Sequence, residues 1–190
     1  ELKSNEGEYD FTQIARLIRI INQNSDSLET VLNVKQVLQY LAINILTGSW
    51  DDYRFLKNNF YLYHEPSKDM FHWIPFDYDN TFGVDWSGEN WSTIDPYDYA
   101  NIDGTPRPLT DYIFQNEKHL NLFSHFLEFY ATHLLNNANL DQRLDSIKAM
   151  IYNSVLQDTY YTYDYGFSIQ DFENSFSYSF SNQHVKKGIK

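Results

Sequence analysis

Apolar residues recur along this chain at two different periods, and the changes between them locate the elements. Phe11, Ile14, Leu17, Ile18 and Ile21 fall at helical spacing behind Asp10, a residue suited to capping a helix start. A second helix is expected from near Asn33, with Val34, Val37, Leu38, Leu41, Ala42 and Ile45 on one face and Gly48 of "TGSW" as its stop. The period then shortens. In "NNFYLYHEPSKDMFHWIPF" the runs Phe60 to Tyr63 and Met70 to Phe76 are aromatic and β-prone, and "EPSKD" between them predicts a hairpin turn.

From Gly83 to Pro108 no period survives. The text is rich in Trp, Tyr, Asp and Gly, which predicts a long irregular loop. Helical spacing returns afterwards. Leu120, Phe123, Phe126, Leu127, Tyr130 and Leu134 form one stripe, and Leu140, Leu144, Ile147, Ile151 and Val155 another. Beyond the tyrosine-rich stretch at 160–165, Ser168 and Asp171 are placed to cap a last helix carrying Phe172, Phe176 and Phe180. The expected fold is mainly α with one small β-hairpin. No internal repeat or long linker divides the 190 residues, so a single domain over 1–190 is expected.

Composition narrows the function classes. Sixteen Tyr and 14 Phe against 4 Trp give aromatic packing surfaces with many polar tips. A formal charge of −12 argues against nucleic-acid phosphate as the main ligand, because there is no basic stripe to displace counterions. The same charge disfavours anionic membrane surfaces and suits a protein that gathers divalent cations. With no cysteine, the chain has no disulfide, thiolate nucleophile or Cys-ligated metal. There is no run of 18 apolar residues to span a membrane.

The candidate chemistry lies at the two ends of the hairpin. "WIPFDYDNTFG" leaves the second strand with Asp77 and Asp79 flanking a tyrosine, and "GSWDDYRFLKNNFYLY" enters the first with Asp51, Asp52 and Asn59. Asp and Asn also build ordinary turns. A hairpin, however, brings its entrance and exit together, so two separate polar clusters converge on one point. Hard carboxylate and amide oxygens suit Mg²⁺ or Ca²⁺, and a Mg²⁺ site commonly needs only one or two carboxylates, with waters and substrate phosphates completing it. Protein kinases assemble the same parts: a catalytic Asp, an Asn a few residues on, a short hairpin, then a metal-binding Asp.

In its order and its parts, "TGSWDDY…NNFYLYHEPSKDMFHWIPFDYDNTFG", residues 47–83, resembles the central signature of the CotH family, the spore-coat protein H kinases and their relatives. The resemblance implies a protein-kinase-like C-terminal lobe that transfers phosphate from ATP, with Mg²⁺ or Mn²⁺, to Ser or Thr hydroxyls of a protein acceptor. It implies that Asp51 is the catalytic aspartate, with its neighbour Asp52 competing for that role. Asn59 and Asp77 then bind metal and nucleotide, and Asp79 supports them as a second ligand or as a hydrogen-bond acceptor behind the first. An extracellular, cell-surface or spore-coat location follows by the same analogy.

The chain also departs from the family pattern. It has Gly-Ser-Trp-Asp for the usual Gly-Asn-x-Asp, Asp51 and Asn59 eight positions apart, longer than the family spacing, and Phe76 in place of Trp. A kinase also needs a strand-rich N-terminal lobe with a phosphate-covering loop and a lysine. Only 50 mostly helical residues precede Asp51, and nothing strand-like surrounds Lys3 or Lys35. The expectation is therefore a C-terminal lobe without its N-terminal lobe, a piece of a longer protein and inactive by itself.

Two other functions stay open on the sequence. One is a non-catalytic, kinase-derived scaffold or metal-binding module of a spore-coat or cell-surface assembly. The other is a glycan-binding or carbohydrate-active domain that uses the aromatic loop 84–101, with Trp86, Trp91, Tyr97 and Tyr99 for sugar stacking and Asp77 paired with an acid in 85–103. His119, His125 and His133 share a predicted helix, but no two of them stand at i,i+4, so a helical zinc pair is unsupported. His64 and His72 are expected as exposed strand residues facing each other across the hairpin. No Gly-x-Ser-x-Gly elbow occurs.

Overall fold

The computed structural model describes residues 3–4, 6–83, 89–91, 93–99, 104–163 and 166–176. It is mainly helical, with one antiparallel two-stranded sheet among the described residues. The helices are α1 Thr12–Gln23, α2 Val34–Leu46, α3 Pro108–Gln115, α4 Glu117–His133, α5 Asn137–Gln157 and α6 Ile169–Asn174. The strands are β1 Phe60–Glu65 and β2 Met70–Pro75, paired in register from Phe60 opposite Pro75 to Glu65 opposite Met70.

Local chemistry accounts for where the helices start and stop. The Asn33 side chain accepts from the Gln36 amide to cap α2, and Gly48 (φ +64°) turns the chain out of its far end. Asn116 caps α4 by accepting from Lys118 and His119. Ser168 and Asp171 form a reciprocal capping box on α6. Asp10 accepts from the Thr12 amide just ahead of α1. Helix α3 begins with proline at its first turn, where the missing N–H costs nothing.

Helix α2 is the core element. Val34, Val37, Leu38, Tyr40, Leu41 and Ala42 are buried on it, and α4 packs along it with Phe123 and Phe126. The hairpin is fastened to the start of α2. Phe71 N donates to Val31 O at 2.7 Å, Asn33 N donates to Phe71 O at 2.9 Å, and Trp73 N donates to the Gln36 side chain at 3.1 Å. The outer edge of β2 is thereby paired instead of being left open. Trp73, 1% exposed, stacks on Phe60 at 4.3 Å and meets Tyr40 and Tyr53 at 5.2 and 5.4 Å. The hairpin's inner face is thus locked to α2.

Some expected faces are only partly buried. On α1, Leu17 is buried while Phe11 and Ile18 lie exposed, because α1 meets the core along one narrow side. Leu134, at the end of the α4 stripe, is exposed. Among the described side chains of α5 none is fully buried; Tyr152 donates to Glu173 of α6 at 2.6 Å, and Lys148 lies over the Phe176 ring just beyond it. Phe180 lies outside the described residues. In the tyrosine run, Tyr160 and Tyr163 are exposed and Tyr161 is half-buried, edge-on to Phe172. No helix is long and apolar enough to cross a membrane, among the described residues.

Candidate functional site

The hairpin brings its two polar ends together as its register requires. Phe76 N donates to Asn59 O at 3.2 Å, one step beyond the Phe60–Pro75 pair, so the entrance at Asn59 and the exit at Asp77 are neighbours. Both ends take the left-handed backbone that side chains other than glycine rarely adopt: φ is +57° at Asn59 and +58° at Asp77. Asn and Asp tolerate it best. The exit turn is then docked on α2. Phe82 N donates to Thr47 O at 2.7 Å, satisfying a carbonyl at the helix end, and the Thr81 hydroxyl donates to Tyr78 O.

The two adjacent acids after α2 face opposite ways. Asp52 is 1% exposed and fully engaged: its Oδ1 accepts from the Arg54 and Phe55 amides at 2.9 and 3.1 Å, and its Oδ2 from Asn44 Nδ2 at 2.9 Å. Burial pushes its carboxyl above the usual range, opposed by the Arg54 charge and these hydrogen bonds. Arg54 is itself buried over the face of Tyr99, 3.9 Å from guanidinium carbon to ring centre, and none of its side-chain nitrogens has a hydrogen-bond partner. Burial lowers it to about 10, so it stays charged at neutral pH. Asp51 instead lies half-buried toward the hairpin mouth and accepts from Asn58 and from Asn80, each at 3.3 Å.

Asn80 joins the clusters. The same amide nitrogen that donates to Asp51 donates to Asp79 Oδ1 at 3.0 Å. The Asp79 carboxyl is raised by partial burial, by the Asp77 charge and, more weakly, by the Asp51 charge. Asp51 and Asp77 therefore both act on Asp79 at the mouth of the hairpin. Asn59 is buried beside them with its Nδ2 unpaired. Tyr78, between the two acids, turns inward and donates to Asn44 Oδ1 at 2.9 Å; burial and the Asp52 charge push its phenol up to about 12.

Sequence reasoning assigned roles to Asp51, Asp52, Asn59, Asp77 and Asp79 but none to Asn80, Asn44, Tyr78 or Arg54. Asn44 did carry a signal, being a polar residue at i, i+4, i+7 spacing with Val37 and Leu41 on an otherwise apolar helix face. Three histidines each meet a carboxylate. His119 is buried and meets Glu29 at 2.6 Å. His64 and His72 do not face each other: His64 pairs with Phe71 and His72 with Tyr63, on opposite faces, and each is half-buried against a carboxylate, Asp69 and Glu65 respectively. In the aromatic loop, Trp91 and Tyr99 are buried against Trp50 and Arg54, where no sugar could stack on them. Tyr97 is exposed and edge-on to Phe123, and Trp86 lies outside the described residues.

Among the described residues, no group of three His, Asp or Glu side chains closes tightly enough to hold a metal ion unaided. The donor set is nonetheless hard oxygen: an exposed Asp77, an Asp79 raised by its acidic neighbours, and Asp51 beyond. Such a set fits a cation that keeps several waters or phosphate oxygens, as Mg²⁺ and Mn²⁺ do.

A helical body thus holds an acid-rich hairpin mouth at the end of its central helix. A family model described as CotH kinase protein matches residues 1–186, and the chain belongs to that family. No curated protein matches the chain.

Proposed function

We propose that this chain is the C-terminal-lobe portion of a kinase-like phosphotransferase that moves phosphate from ATP to a Ser or Thr hydroxyl of a protein acceptor. The observation that carries this is the convergence of Asp51 and Asp79 on the Asn80 amide at the hairpin mouth, with Asp77 acting on Asp79 beside them. Membership of the CotH kinase protein family supports it.

In this reading Asp77 and Asp79 hold the Mg²⁺ or Mn²⁺ of the nucleotide, with Asn59 beside them. The cation, when bound, offsets phosphate charge that builds during transfer. Asp51 orients the acceptor hydroxyl and receives its proton. It suits this better than Asp52, because it is partly open to solvent and its hydrogen bonds come from two side-chain amides, which leave it lone pairs to accept another. Asp52 holds the loop. A spore-coat or cell-surface setting follows the family analogy.

The test is phosphate transfer from labelled ATP to a protein acceptor by the natural full-length protein with Mn²⁺. Asp51→Asn is expected to abolish transfer without unfolding the protein. Transfer that survives Asp51→Asn refutes the assignment. Cation binding that nucleotide does not change would favour the non-catalytic cation module instead.

A further inference from the structure

Tyr78 sits between the two acids in sequence; its ring is partly open to solvent, at 38% exposure, but its hydroxyl reaches inward to α2. Its hydroxyl meets Asn44 Oδ1 at 2.9 Å, and Asn44 Nδ2 meets Asp52 Oδ2 at 2.9 Å. Asp52 Oδ1 takes the backbone N–H groups of Arg54 and Phe55. One chain of hydrogen bonds therefore runs from the Asp77–Asp79 turn, through helix α2, into the loop that presents Asp51, buried from Asn44 onward.

The Asn44 amide turns its NH₂ toward Asp52 Oδ2, which accepts it. That leaves the Asn44 carbonyl facing Tyr78, whose hydroxyl must donate. Asn44 is 1% exposed, closed off from bulk solvent. The far end of the turn is already fastened by Phe82 to the end of α2, and Tyr78 fastens its middle.

We propose that Tyr78 is a positioning residue: through Asn44 and Asp52 its hydroxyl sets the Asp77–Asp79 turn relative to the loop carrying Asp51. The proposal rests on the reading of Asp77 and Asp79 as cation-holding acids. Phenylalanine at this position would fill the same space but leave the Asn44 carbonyl buried without a donor.

The test is Mn²⁺ alone, titrated into the full chain and followed by electron paramagnetic resonance, for wild type, Tyr78→Phe, Tyr53→Phe and Asp77→Ala, with thermal midpoints for all four. Tyr53→Phe is the control: it removes a hydroxyl that accepts from Leu109 N in the same core but lies outside the chain of bonds. Tyr78→Phe is expected to weaken Mn²⁺ binding roughly tenfold, the low end for partners lying behind metal ligands, and to change the bound-Mn²⁺ spectrum. Tyr53→Phe should stay within about twofold of wild type by the same measure. If Tyr78→Phe behaves like Tyr53→Phe while Asp77→Ala abolishes binding, the positioning role is overturned and the cation reading stands. Mn²⁺ binding that ignores Asp77→Ala overturns the cation reading, and the positioning role with it.

Discussion

The side-chain amide of Asn80 donates to Asp51 Oδ2 at 3.3 Å, joining residues 29 positions apart. With its second bond to Asp79, this one nitrogen sits between acids that would otherwise repel one another across the hairpin mouth. Asn80→Ala is expected to cost about 1 kcal/mol. For a chain of this size that is a fall of roughly 2–4 °C in thermal midpoint, measurable by circular dichroism. An unchanged midpoint would mean that Asn80 does not hold the mouth together.

The adjacent acids should separate cleanly by mutation. Asp52→Asn leaves the buried Arg54 guanidinium without its counter-charge, and losing one partner of such a pair costs about 3–5 kcal/mol. Asp51→Asn, at a half-open position, should cost under about 1 kcal/mol. Urea denaturation of the two variants checks the difference. Equal costs would contradict opposite orientations for the two side chains.

Asp79 makes the site pH-dependent. Its carboxyl is raised in the folded protein, so the folded state holds this proton more tightly than the unfolded one. The contribution to stability is fully present below the ordinary carboxylate value and is lost as pH rises through the raised folded value. Asp79→Asn should therefore flatten this fall and raise the thermal midpoint at neutral pH in the absence of metal. Adding Mg²⁺ should raise the wild-type midpoint more than that of the variant. A variant that is less stable at neutral pH, with the same pH slope as wild type, would show that Asp79 is not under this repulsion.

The hairpin depends on Trp73. Trp73→Ala removes the side chain stacked on Phe60 and packed against α2, at a cost of about 3–5 kcal/mol. Ile18→Ala, on the exposed side of α1, should stay within about 0.5 kcal/mol of wild type. Chemical denaturation distinguishes the two, and a tolerated Trp73→Ala would mean the hairpin is held by something other than its inner aromatic face.

The parts legible in the sequence were those set by local chemistry. Asn33 and Gly48 bound α2, "EPSKD" turns the hairpin, and Ser168 with Asp171 starts α6, each through bonds within a few residues. Faces were less legible, because an apolar stripe does not say how much neighbour will cover it. Phe11, Ile18 and Ile147 lie in helical stripes yet stay exposed. Helix α3 escaped assignment because it is short and follows directly on an aperiodic loop. At the site, the types and rough positions of the acids could be read from the hairpin ends. Which of Asp51 and Asp52 turns inward could not, since Asn44 on α2 and the burial of Arg54 under the Tyr99 ring decide it.

The most direct test of the central claim is nucleotide binding by the natural full-length protein, measured calorimetrically with and without Mn²⁺ for wild type and Asp77→Ala. Wild type should bind ATP in a Mn²⁺-dependent way, and Asp77→Ala should lose that dependence. Mn²⁺-dependent ATP binding that is undiminished in Asp77→Ala would contradict a catalytic cation site at the hairpin mouth.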